Sequence, residues 1–256
     1  MCYDDAARPP LPPIAGGSAQ GEDLVLTSAD GNQFMAYLSS PSAPKGAQVV
    51  IFPDVRGLHQ FYKELADRFA EQGLTALAID YFGRTAGRGA RDESFDYTPH
   101  VQQLGFETFQ ADVTAALNYL GSREGGNLPT FTVGFCMGGS LSLLTGTRNL
   151  GLAGVIAFYS GFSRSFAGVG TALDQASNIK VPVLDLFGGN DPSIPPEQIE
   201  EFKRKLQAGG VEHEVVVYPG ATHSFFDRRA SEFADASADA WRRVLGFIQA
   251  HSQGKR

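Results

Sequence analysis

Apolar runs and apolar stripes alternate along most of this chain. Gln48-Val49-Val50-Ile51-Phe52 has no polar face, the pattern of a strand covered by helices on both sides. The helix predicted next, over Gln60–Gln72, sets Phe61, Leu65 and Phe69 four apart on one face and stops at Gly73, a residue suited to the position after a helix end. Leu74–Ile79 reads as a second buried strand. A loop rich in Gly, Arg and Asp (Gly83–Pro99) leads to a helix from Phe106 to about Leu120, striped by Phe106, Phe109, Val113, Leu117 and Leu120. Pro129–Phe135 is a third strand, followed by a helix over Gly138–Thr147. Leu152–Tyr159 is a fourth strand and, beyond a Gly/Ser-rich connection, Val181–Phe187 a fifth. Pro195-Pro196 opens another helix, since proline is tolerated where the amide has no helical partner. Glu212–Tyr218 is the last strand, and the closing helix carries Trp241, Val244, Leu245 and Ile248 at i, i+3, i+4, i+7 spacing.

Ahead of this alternation, Asp23–Thr27 and Gln33–Ser39 read as two strands split by Ala29-Asp30-Gly31-Asn32, a hairpin signal. Residues 1–21 hold Pro9-Pro10-Leu11-Pro12-Pro13 and Gly16-Gly17-Ser18, a proline-stiffened arm expected to lie on the surface. The order predicts a single doubly wound α/β domain over residues 22–256, with a mainly parallel sheet and helices on both faces.

Composition narrows the function. At 256 residues, 43% hydrophobic and 19% charged, the chain has ordinary globular usage. A net charge of −7, with no basic run longer than two arginines, argues against nucleic acid. No stretch approaches the roughly 20 apolar residues of a membrane span. Cys2 and Cys136 imply no disulfide framework, and five scattered histidines without CxxC or HExxH imply no metal. The expectation is a protein of the reducing cytoplasm, monomeric or a small homo-oligomer, with no cofactor.

The chemistry concentrates at Gly134-Phe135-Cys136-Met137-Gly138-Gly139, which joins a buried strand to a helix. That is the setting of a G-x-S-x-G nucleophile elbow, here with cysteine for serine. The following helix aims its free amides and dipole at the sulfur and favours a thiolate. A lone cysteine after a strand is more commonly a small buried hydrophobe, and the flanking glycines shift the balance toward catalysis. Asp191, in Gly188-Gly189-Asn190-Asp191-Pro192, follows the fifth strand 55 residues later, and His223 follows the last strand 32 residues after that. Each alone reads as a turn or surface residue. In the order nucleophile, acid, base, at strand ends that converge on one crevice, they read as a triad. The Met137 amide and one in the loop after Phe52, at Val55, would form an oxyanion hole. Asp54 and Arg84 stand just beyond strands flanking the elbow strand and are candidate substrate contacts; Arg56 reads as a solvated loop tip or a third contact.

Pro53-Asp54-x-x-Gly57, Asp80-Tyr81-Phe82-Gly83-Arg84, the cysteine elbow, Gly188-Gly189-x-Asp191 and His223-Ser224-Phe225 together resemble the dienelactone hydrolases (carboxymethylenebutenolidases) of the α/β-hydrolase superfamily, over roughly residues 23–250. The resemblance implies a Cys136–His223–Asp191 triad, oxyanion amides at Val55 and Met137, and Arg84 as the arginine that grips a substrate carboxylate. It sets Asp54 where the family has a glutamate that contacts the resting thiol and swings away on substrate binding. The family's second carboxylate-binding arginine falls at Asp227. The activity implied is hydrolysis of a small-molecule ester or lactone through a thioester acyl-enzyme. A carboxylesterase for bulkier or polymeric esters, and a non-catalytic ligand-binding scaffold with a redox-sensitive thiol, are the alternatives.

Overall fold

The computed structural model describes residues 6–11, 19–123 and 126–252. Strands β1 (Ala19–Thr27) and β2 (Gln33–Pro41) form the expected antiparallel hairpin, turned by Gly31 at φ 83°. The first begins four residues before the predicted Asp23. Then come β3 (Gln48–Phe52), α1 (Gln60–Glu71), β4 (Thr75–Ile79), two short helices α2 (Gly83–Ala86) and α3 (Thr98–Gln102), α4 (Phe106–Ser122), β5 (Thr130–Phe135) and α5 (Met137–Thr145). The chain closes with β6 (Gly154–Phe158), α6 (Ala172–Gln175), β7 (Val183–Gly188), α7 (Pro196–Ala208), β8 (His213–Tyr218) and α8 (Ala234–Ser252). The turns α2, α3 and α6 lie in segments that read only as loops, because four or five residues carry no helical period.

One sheet holds all eight strands in the order β1-β2-β4-β3-β5-β6-β7-β8, parallel from β4 to β8. Side-chain parity along β5 shows how its two faces are covered. Phe135 meets Phe61 and Tyr62 of α1, and Phe131 meets Phe247 of α8, while Thr132 on the opposite face bonds the Ser142 hydroxyl of α5 at 2.7 Å. Phe69 of α1 packs on Trp241 of α8 at 4.7 Å, so these helices share one side. Gln110 and Thr145 join α4 to α5 on the other. In α8 the buried stripe is Ala240, Val244, Phe247 and Ile248, with Trp241 and Leu245 at its margin.

Register then delivers the site. The pairings Phe52↔Gly134, Phe135↔Phe158 and Gly188↔Tyr218 bring the carboxyl ends of β3, β5, β6, β7 and β8 to one edge. The loops bearing Asp54, Cys136, Tyr159, Asp191 and His223 all leave from that edge. Of the proline-rich arm, Ala7 is buried and Arg8 pairs with Glu64 of α1 at 3.2 Å; residues 1–5 and 12–18 lie outside the described residues. No described helix is long and apolar enough to cross a membrane.

Candidate active site

Cys136 occupies the turn between β5 and α5 at φ 55°, ψ −116°. An L-residue in that region is strained, and such strain persists only where the surroundings over-determine it. Two glycines do so here. A Cβ on Gly134 would lie 1.9 Å from the Gly138 carbonyl oxygen, and one on Gly138 would lie 2.2 Å from the carbonyl oxygens of Phe52 and Pro53. The Cys136 amide donates to the Phe158 carbonyl at 3.0 Å, tying the turn to β6. Met137 N–H is the first amide of α5 and has no carbonyl one turn before it. The Val55 amide has no hydrogen-bond partner among the described residues.

His223 and Asp191 meet directly, with Nδ1 2.5 Å from Oδ2. The Asp191 side chain is 1% exposed and that of His223 25%, so the acid is sealed while the ring reaches the crevice. Ser193 fixes the other carboxylate oxygen, its amide and hydroxyl donating to Oδ1 at 2.9 and 2.6 Å. Burial pushes the Asp191 carboxyl up, and the hydrogen bonds from His223 and Ser193 outweigh it, leaving it below the ordinary carboxylate range. An ionised Asp191 holds the Nδ1–H tautomer and leaves Nε2 as the available base.

Tyr159 links this pair to the elbow. It turns the chain after β6 at φ 38°, its ring lies 4.9 Å from that of His223, and its phenol is in electrostatic contact with Cys136. Its hydroxyl donates to Asp227 at 2.7 Å. Cys136, Tyr159 and Ser224, at φ 55°, 38° and 61°, are the non-glycine residues at positive φ among those described, and all three border this site.

Asp54 is fully buried. Its Oδ1 accepts from the Arg56 amide at 2.8 Å and stands 3.8 Å from His59 Nε2, while its Oδ2 has no hydrogen-bond partner. Asp54 and Cys136 both act electrostatically on the buried Tyr81 phenol, which burial holds above its ordinary range. Arg56 is no loop tip: it is 4% exposed, with its guanidinium over the Tyr97 ring.

Arg84 is directed elsewhere. It binds Asp30 at 2.6 Å and Asp112 at 2.8 Å, with a further bond to the Thr108 carbonyl, stapling the β1–β2 hairpin to α4. Both carboxylates belong to the protein, so the guanidinium is not presented to a ligand in this arrangement. Asp227, where the resemblance sets a second arginine, is buried and accepts from Tyr159 and from the Arg228 amide. Arg229 pairs with Glu232. The sequence reading missed Tyr159, Ser193 and Arg164, a half-buried cation on the loop after β6 on which the charge of Cys136 acts. Only Ser193 had a local signal, the Asp-Pro-Ser turn.

A mainly parallel sheet flanked by helices, with a strained residue between β5 and α5 and an Asp–His pair after β7 and β8, has the architecture of an α/β-hydrolase. The profile of the dienelactone hydrolase family matches residues 34–252, and the chain belongs to that family. A Yersinia pestis protein named "Putative carboxymethylenebutenolidase" is 30% identical over 87% of this chain and 86% of its own length. A Bradyrhizobium protein named "Probable 2-oxo-3-(5-oxofuran-2-ylidene)propanoate lactonase" is 26% identical over 91% of this chain and 96% of its own. The crystal structure of a "Putative Dienelactone Hydrolase" from Klebsiella pneumoniae superposes with a TM-score of 0.79 at 26% identity, covering 91% of this chain and 99% of that one. The protein is a hydrolase of the type that acts on esters or lactones.

Proposed function

We propose that the protein hydrolyses a small ester or lactone through a thioester on Cys136. The observation that carries this reading is the 2.5 Å Asp191–His223 pair at the same sheet edge as the strained Cys136 turn. His223 Nε2 takes the thiol proton, and the sulfur adds to the carbonyl carbon. The resulting oxyanion is held by the amides of Val55 and Met137. Collapse expels the alkoxide, which takes the proton from His223. In a lactone the alkoxide stays tethered as the ring opens. Water deprotonated by His223 then attacks the thioester, releasing the acid and restoring the thiol.

The unpartnered Oδ2 of Asp54 supports a role as acceptor for the resting thiol, at the position of the family glutamate. Its side chain is one methylene shorter than the family glutamate and reaches less far toward the sulfur. The names of the relatives favour a lactone or a small ester over a polymer. No step calls for a cofactor, and a cytoplasmic protein acting as a monomer or small homo-oligomer is consistent with the chemistry.

A burst of product on mixing with p-nitrophenyl acetate, followed by a slower steady state, tests the acyl-enzyme. Prior treatment with iodoacetamide must abolish the burst. A steady state that survives both iodoacetamide and Cys136→Ala would overturn the cysteine mechanism.

A further inference from the structure

Several arginines stand near the carboxyl edge of the sheet. Arg84 is bound by Asp30 and Asp112, Arg91 by Asp80, and Arg229 by Glu232. Arg56 is buried with Asp54, and Arg228 is exposed on the turn after His223. Arg164 differs from all of these. It is half-buried, and no carboxylate among the described residues pairs with it.

Its backbone is anchored beside the elbow. After Tyr159, the Ser160 hydroxyl donates to Asp185, and the Gly161 carbonyl accepts from the Ser140 hydroxyl of α5 at 2.7 Å. Three residues on, the Arg164 guanidinium lies over the Phe166 ring, 5.2 Å from its centroid, and Nη2 donates to the Val101 carbonyl of α3. Nε is buried without a partner. The head group is thus held by a ring and a carbonyl, neither of which cancels its charge. Burial lowers its pKa, and the charge of Cys136 acts on it in the opposite direction.

A half-buried guanidinium without a counter-ion is a costly arrangement in a protein and a favourable one toward a ligand anion. The side chain is already ordered, so a carboxylate arriving there gains a charge-assisted bond with little further loss of entropy. We infer that Arg164 is the anion-recognising residue of this site, its guanidinium holding the substrate carboxylate that the family resemblance gives to Arg84, while Cys136 attacks the carbonyl. This assignment rests on the cysteine mechanism proposed above and puts the anion contact on the loop after β6 in place of Arg84.

Iodoacetate and iodoacetamide separate the contributions. In both, the Cys136 thiolate displaces iodide to form an S–CH2 bond, and only the first reagent carries a carboxylate. Their rate ratio therefore reports anion recognition, while activation of the thiolate cancels. In the full-length enzyme, the ratio of iodoacetate to iodoacetamide should fall by about tenfold in Arg164→Gln, the loss of one charge-assisted contact. Arg164→Lys should keep part of it, and Arg84→Ala should leave it unchanged. A ratio in Arg164→Gln equal to that of wild type overturns the assignment. So does an equal slowing by both reagents, which would mean that Arg164 acts on the thiolate or on loop structure.

Hydrolysis gives an arm that does not depend on the nucleophile. The kcat/KM of mono-p-nitrophenyl succinate relative to p-nitrophenyl acetate should fall about tenfold in Arg164→Gln. If Cys136→Ala remains active while this preference still falls, the cysteine mechanism fails and the anion contact stands. If Cys136→Ala is inactive and the preference is unmoved, the reverse holds.

Discussion

The Tyr159 hydroxyl donates to Asp227 at 2.7 Å, and the same ring lies 4.9 Å from the imidazole of His223. Both partners are buried, and Tyr159 leaves β6 at a positive φ that a tyrosine seldom adopts. The pair fixes the wall against which His223 rests. Asp227→Ala would strand a buried phenol and should cost about 1–3 kcal/mol of stability. Tyr159→Phe removes the hydroxyl but keeps the ring, and leaves Asp227 one donor short. We expect both variants to melt below wild type in calorimetry. Tyr159→Phe should retain most of its kcat, because the ring that supports His223 remains. A kcat in Tyr159→Phe as low as that of a His223 variant would show that the hydroxyl itself serves the reaction.

Cys136→Ala should abolish turnover, by about 10⁴-fold or more, with an unchanged melting temperature, since only a small side chain is lost from a turn shaped by Gly134 and Gly138. Cys136→Ser should be weakly active at best. The base must then deprotonate an alcohol in a site arranged for a thiol. Stopped-flow acylation by p-nitrophenyl acetate measures both variants. A serine variant faster than wild type would contradict a thiol-adapted site.

His223→Ala should match the cysteine deletion in steady-state assays, because nucleophile and base act as a unit. Asp191→Asn should cost on the order of 10²–10⁴ in kcat, by misorienting the ring whose Nδ1 now faces an amide. Unchanged kinetics in either variant would move the base elsewhere. His59, buried against Tyr62 and near Asp54, would be the next candidate; His213 opens β8 at the opposite end of its strand.

What could be read from the sequence was whatever is local. Cys136, Asp191 and His223 each follow a strand rich in apolar residues and sit among glycines or turn residues, so strand ends and chain order sufficed to group them. The ion pairs of Arg84 were not legible, because Asp30 and Asp112 lie 54 and 28 residues away and only the folded hairpin brings them together. Tyr159 and Asp227 are separated by 68 residues. Arg56 looked solvated because a charge at a strand end usually is; the Tyr97 ring that covers it comes from a segment without periodicity. Arg164 lies in another such segment, where the pattern of apolar positions is silent.

Arg84→Ala is the sharpest contrast between resemblance and structure. A residue that grips substrate would raise KM for anionic esters when removed and leave the fold alone. A residue that neutralises Asp112, whose side chain is 2% exposed and whose carboxyl burial pushes above its ordinary range, would instead lower stability by about 2 kcal/mol or more. Urea unfolding alongside kcat/KM for a neutral and a carboxylate-bearing ester distinguishes the two. We expect the stability loss, with the ratio of the two kcat/KM values within about twofold of wild type, a change of only ~0.4 kcal/mol.

Asp185 supplies a pH dependence that belongs to the fold. It lies fully buried in the middle of β7, Oδ2 accepting from Ser160 at 2.7 Å and Oδ1 without a partner. Burial pushes its carboxyl up to about 8, against an ordinary value of 3.8, despite the opposing bond from Ser160. Between these two values the folded protein keeps a proton that the unfolded chain has released. The unfolded state therefore binds fewer protons, and stability falls as pH rises, by at most about 1.4 kcal/mol per unit, until the folded carboxyl also ionises near pH 8. Asp185→Asn cannot titrate and can still accept the Ser160 bond. Its melting temperature relative to wild type should rise steadily from pH 5 to pH 8 and level off above, with other titrating groups cancelling in the difference. A difference that stays constant across that range would show that Asp185 is ionised in the folded protein at pH 5, with a cationic or donor partner that stabilises its charge.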